Sequence, residues 1–168
     1  MYEKLIAFDC GLAYVGCSLF DYNRKELLNC YYIDTPIDSR EAAEQTADLV
    51  HRVHAILAAY LENALIVVEY PEQYAINPTP RAPVQGLACT GGGLVSALKR
   101  ESNRVKFLLP KEWKGQVPKD IMLDRIVNRL QPSERTLLEA QKFIKSKKHN
   151  VIDAIGLGLH MLDRLKGA

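Results

Sequence analysis

Long apolar runs are missing from this chain. None approaches the roughly 18 consecutive residues that a membrane span requires, so no membrane partner is expected. The N-terminus carries no basic stretch leading into an apolar segment, which speaks against a secretory signal and for a cytoplasmic protein. Cysteine is sparse and unpatterned. Cys10, Cys17, Cys30 and Cys89 include no CxxC pair. This excludes a zinc knuckle and a disulfide frame, and fits reduced thiols. Internal repeats, low-complexity stretches and dividing linkers are also absent, so residues 1–168 are expected to form a single domain. Net charge is only +2, which neither demands nor excludes a polyanionic partner.

What is present is an ordinary globular composition, 48% hydrophobic and 25% charged, with a clear order of elements. Leu5–Phe8 predicts a buried strand, ended by a tight turn at Gly11. Tyr14–Phe20 and Leu27–Ile33 predict two more, joined by the hairpin turn "DYNRKE". Asp38 or Ser39 can cap a long amphipathic helix over Arg40–Asn63. "ALIVVEY" predicts a fourth strand, stopped at Pro71. A helix follows over Val84–Lys99, and its "TGGG" implies close packing, since each interior Gly costs about 1 kcal/mol relative to Ala. "VKFLL" predicts a fifth strand and "PKEWKGQVPK" a loop. Lys119–Leu130, Ser133–Ile144 and Asn150–Leu165 predict the last helices. The result is an α/β fold with a five-stranded mixed sheet flanked by helices.

Two strands end on acids. Asp9 closes the first and Glu69 the fourth. If those strands are parallel neighbours, both carboxylates reach one edge of the sheet. Asp153 lies one turn into the predicted last helix, with Asn150 and His149 three and four residues before it, on nearly the same face. Three carboxylates at one place repel each other unless a cation neutralises them. Oxygen donors select Mg²⁺ or Mn²⁺ rather than zinc. Basic residues cluster in the C-terminal half: Arg100, Arg104 and Lys106; Lys111, Lys114 and Lys119; Lys142, Lys145, Lys147 and Lys148. Together they point to a nucleic-acid surface.

In order along the chain, "DCGLAYVG", "VVEYPEQY", "LLPKEWKGQVPK" and "HNVIDAIGLGLHML" resemble the motifs of the RuvC family, Holliday-junction resolvases of the ribonuclease H-like fold. The first and last are the most specific, and "WKGQVPK" looks closest to small members carried by phages. The resemblance implies a crossover junction endodeoxyribonuclease that makes paired symmetric nicks in four-way DNA junctions by two-metal hydrolysis. It implies Asp9, Glu69 and Asp153 as catalytic metal ligands, Mg²⁺ as cofactor with Mn²⁺ able to substitute, and two ions per site. The remaining ligand position usually holds Asp or His. Here it is Asn150, with His149 adjacent as alternative ligand or proton acceptor. Lys111, Lys114, Lys119, Arg81 and Tyr74 are the implied DNA contacts. Trp113 is read as a core anchor or a base-stacking residue, and Tyr70 as packing. A two-fold junction also implies a homodimer, joined through Arg40–Asn63 or the Gly-rich helix.

Three other readings compete: a nuclease of the same fold for other branched DNA or RNA/DNA hybrids, a catalytically inactive junction-binding module, and an actin-like nucleotide-binding domain. The last needs two domains around a nucleotide, for which 168 residues are too few unless a dimer makes the cleft, and a second glycine-rich phosphate loop, which does not follow a later strand here.

Overall fold

A computed structural model of the chain describes residues 2–36, 41–71, 81–141, 143 and 145–165. Three antiparallel strands come first: β1 (Lys4–Cys10), β2 (Tyr14–Asp21) and β3 (Glu26–Asp34). Helix α1 (Ala42–Leu57) runs into a short 3₁₀ turn, and β4 (Ala64–Glu69) follows. Helix α2 (Arg81–Leu98) leads to β5 (Arg104–Leu108). The chain ends with α3 (Pro110–Trp113), α4 (Lys119–Arg129), α5 (Pro132–Ala140) and α6 (Lys145–Met161). The sheet order is β3-β2-β1-β4-β5, with β1, β4 and β5 parallel.

Alternation along the strands sorts side chains onto two faces. Leu5, Ala7, Leu65 and Val67 pack with α4, α5 and α6 on one side. Ile6, Phe8, Ile66 and Val68 pack with α1 and α2 on the other. The same parity sends Asp9 and Glu69 toward α6. That helix is buried almost all round from Val151 to Leu159, as expected of one held between a sheet and a second helix layer.

Two glycines allow α6 to come so close. A Cβ on Gly16 would lie 2.2 Å from the backbone oxygen of Asn150, and one on Gly158 would lie 2.2 Å from the Phe20 ring. Ser18 Oγ donates a buried hydrogen bond of 2.8 Å to the Ala154 carbonyl. The Gly-rich segment of α2 packs as its composition implies: Gly91 faces Val68 and Gly93 faces Val50, while Gly92 opens outward.

Several boundaries differ from expectation. The long first helix is regular only to Leu57, and α5 stops at Ala140 rather than Ile144. The proposed caps Asp38 and Ser39 lie outside the described residues. The "PKEWKGQVPK" segment is not all loop. Pro110 opens α3, and Glu112 reaches back to accept the Leu109 N–H at 2.6 Å. The largest difference is in α6, which begins at Lys145, five residues before Asn150. Asn150 is therefore an interior helix residue, not a cap, and Asp153 stands in the third turn.

Candidate active site

Asp9 is the sixth residue of β1 and Glu69 the last of β4, and both strands run the same way as immediate neighbours. Asp153 comes down from α6 onto the same face. Two of the three acids, Glu69 and Asp153, are tied by one cation, Lys114, just past the end of α3. Its Nζ stands 3.1 Å from Glu69 Oε2, 3.4 Å from Glu69 Oε1 and 3.6 Å from Asp153 Oδ2. Burial disfavours the charged ammonium, but Glu69, Asp153 and Asp9 more than offset this and raise its pKa. The resemblance implies a DNA contact at Lys114. The structure puts it among the acids.

Asp9 carries the strain of the arrangement. Burial first, then the charges of Glu69 and Asp153, push its carboxyl from 3.8 up to about 8, against the pull of Lys114 and Lys119. The acids stop short of a closed cage. Among the described residues, no three His, Cys, Asp or Glu side chains are gathered tightly enough to clasp an ion as they stand. Like charges hold apart, and a monovalent ammonium bridges only two of them.

The donors nonetheless fit a hard divalent cation. Asp9, Glu69, Asp153 and Asn150 offer oxygen alone. Asn150 is 6% exposed, and neither its side chain nor the Asp9 carboxylate makes a hydrogen bond to another described residue. A buried amide left without a partner costs about 1–3 kcal/mol, which a bound cation would relieve. Asn150 approaches the strand that carries Asp9 through its backbone. Its backbone rests on Gly16, which pairs with Asp9 across the sheet. His149 is half-buried beside it. Burial, Lys119 and Lys114 lower its pKa, against the pull of Asp153, so the imidazole is neutral at pH 7.

Trp113 is not free to stack on a base. It is 5% exposed, and its indole Nε1–H donates to Glu69 Oε2 at 2.8 Å. Nothing in the local pattern signals this bond beyond the nearness of Trp113 to Lys114. Tyr14 was also missed, although its parity with Gly16 places it on the face of Asp9. Its ring stacks on Tyr32 with centroids 5.7 Å apart, and burial and Asp9 raise its pKa. Lys147 extends this stack, 4.7 Å over the Tyr32 ring and 2.5 Å from Asp34.

The Arg100–Arg104 pair and the Lys111–Lys119 cluster do not share one surface. Lys111 is exposed on α3, and Lys119 opens α4 close enough to act electrostatically on Asp9 and His149. Arg104 lies at the other end of the sheet. It pairs with Leu65, four residues before Glu69, about 13 Å away along the strand. Arg100 is occupied by the Ala97 and Lys99 carbonyls and by His54. Tyr74 and the Arg81 side chain lie outside the described residues. Tyr70 does not pack inside. It is 43% exposed, edge-on to the equally exposed Phe107.

No protein-family model and no curated protein sequence matches the chain. Solved structures do. RuvC from Thermus thermophilus in complex with a Holliday junction substrate superposes with a TM-score of 0.70 at 18% identity, covering 96% of this chain and 94% of that one. A second T. thermophilus RuvC structure gives 0.63 at 19%, covering 95% and 93%. The chain has the fold of RuvC. The yeast mitochondrial Holliday junction resolvase Ydc2 is a third neighbour, with a TM-score of 0.63 at 13% identity, covering 96% of this chain and 80% of that one. The fold is thus ribonuclease H-like, as the motifs implied. Among the described residues, no helix of this RuvC-like chain is long and apolar enough to cross a membrane.

Proposed function

We propose that this chain is a metal-dependent endonuclease that resolves four-way DNA junctions by paired symmetric nicks. One observation carries the reading: Asp9, Glu69 and Asp153, from three separate elements, meet on the α6 face of the sheet around Lys114, in a fold shared with Holliday-junction resolvases. Three acids share one nearby ammonium, so their negative charge is only partly neutralised and they repel each other.

Asp9, Glu69, Asp153 and Asn150 would hold the Mg²⁺ ions, with Mn²⁺ able to replace them. The ions would supply an activated water and neutralise the departing alkoxide. The remaining tasks fall to the chain itself. Neutral His149 can accept the proton of the attacking water, which is within its range near pH 7. Lys119, close enough to act on Asp9, and Lys111, exposed on α3, can hold phosphates of the DNA. The stacked Tyr14 and Tyr32 and the Lys147 beside them border the Asp9 side of the site and can support a sugar or base. Paired nicks in a two-fold junction need two such sites, hence a homodimer.

Cleavage of a labelled four-way junction in Mg²⁺ and then Mn²⁺, beside flap, fork, RNA/DNA hybrid and linear duplex substrates, tests this. Symmetric, metal-dependent nicks in the junction are expected. Preferred cutting of flaps or hybrids assigns the site to another branched or hybrid substrate. Tight junction binding without nicking assigns an inactive binding module.

A further inference from the structure

The hydrogen bond between Trp113 and Glu69 has a consequence for which ion the site prefers. Glu69 Oε2 receives the indole N–H at 2.8 Å, and the Glu69 side chain is 15% exposed. The indole cannot follow a swinging carboxylate. It is buried, and its ring fills the place where Gly156 has no side chain: a Cβ there would lie 2.6 Å from Trp113 Cζ3 and 2.5 Å from Ile126 Cδ1. Lys114 is held differently. Its ammonium lies 4.5 Å over the Trp113 ring and shares itself between Glu69 and Asp153, at the end of a flexible four-carbon stem. Oε2 is therefore held by the rigid indole and is also the oxygen nearer the ammonium, at 3.1 Å, while Oε1 meets the ammonium alone, at 3.4 Å.

We propose that Trp113 is a positioning residue that makes Glu69 a one-oxygen ligand and so favours Mg²⁺ over Ca²⁺. Mg²⁺ demands octahedral geometry from a few carboxylate oxygens, while Ca²⁺ accepts six to eight ligands and readily takes both oxygens of one carboxylate. Hydrogen-bond partners of metal ligands typically tune affinity by about 10–100-fold. The inference rests on the metal site proposed above and concerns only what this chain does to one of its ligands.

The test measures affinity, not turnover. Mg²⁺ and Ca²⁺ are titrated against protein-bound Mn²⁺, followed by electron paramagnetic resonance, for the wild type and Trp113→Phe. A second protein carries the 3-benzothienylalanine isostere of Trp113, which keeps the bicyclic shape and lacks the N–H. Both variants are expected to raise the Ca²⁺-to-Mg²⁺ affinity ratio about tenfold. An unchanged ratio in the isostere overturns the inference, whatever Trp113→Phe does, because packing alone would then explain the phenylalanine result. A wild type that binds no Mn²⁺ removes the metal site itself, and the inference with it.

Discussion

Replacing Asp9 by Asn removes one charge from the most crowded point of the site while keeping its shape. In the metal-free protein, burial and the charges of Glu69 and Asp153 raise the Asp9 pKa from 3.8 to about 8. The folded state thus holds this proton more tightly than the unfolded state does. Stability from this group is full below 3.8 and is lost as the pH rises toward 8. At about 1.4 kcal/mol per pH unit, a displacement of this size sets a ceiling of roughly 6 kcal/mol. Asp9 is half-buried rather than sealed, and solvent screening brings the expected cost to about 1–3 kcal/mol. Asn never ionises, so Asp9→Asn should stabilise the metal-free protein. The melting temperature near pH 9 should rise by about 2–12 °C at roughly 2–4 °C per kcal/mol. The gain should shrink toward about pH 5, where wild-type Asp9 already carries its proton. Added Mg²⁺ should reverse the ranking, since the wild type recovers its stability through a ligand that the variant has lost. Junction cleavage by the variant should vanish while junction binding survives. Thermal melts with chelator and with Mg²⁺ at both pH values make the check. A variant less stable than the wild type at high pH, or one that gains equally from Mg²⁺, would refute the reasoning.

Three further outcomes follow from the same geometry. Asn150→Ala should weaken Mg²⁺ binding about tenfold, whereas His149→Ala should spare binding and remove the acid limb of the cleavage pH profile; the opposite ranking in binding titrations assigns the ligand to the imidazole. Gly16→Ala should cost about 2–3 kcal/mol in denaturant unfolding, because its Cβ would meet Asn150 backbone at 2.2 Å, while Gly92→Ala, with nothing within 4 Å, should be neutral or mildly stabilising. Glu134 is 2% exposed and accepts Leu27 N–H at 2.7 Å, Gln131 N–H at 2.8 Å and two Arg164 bonds at 2.7 Å. Burial pushes its pKa up, but Arg164 and those backbone donors more than offset this and hold it below the ordinary 4.5. The clamp's contribution is therefore complete above 4.5 and lost as the pH falls through the lowered value. Glu134→Ala, which strands Arg164, should cost about 3–5 kcal/mol by urea unfolding.

The strands and the acids at their ends were legible in the sequence. Strand alternation is a local rule, so the parity that sends Asp9 and Glu69 to one face needs only the residues of β1 and β4. The start of α6 was not legible. Four residues of "KSKK" resemble a solvated loop, and Asn150 resembles a cap, but packing of the helix across β2 and the pairing of Lys147 with Asp34 extend it back to Lys145. Propensity is a weak signal beside a buried face. The short α3 could have been found from Leu109-Pro-x-Glu, a helix start with its own back-reaching acid.

By itself the sequence determined the α/β class, the five strands and the carboxylates at their ends, because these depend on neighbours a few residues apart. Only the tertiary structure decided that Lys114 bridges Glu69 and Asp153, that Trp113 holds Glu69 rather than a base, and that the Arg100–Arg104 pair and the Lys111–Lys119 cluster part toward opposite ends of the sheet. Those facts depend on residues 39 to 45 positions apart meeting at a few ångströms. No local pattern encodes such a meeting; the approach of α6 to the sheet, allowed by Gly16 and Gly158, brings it about.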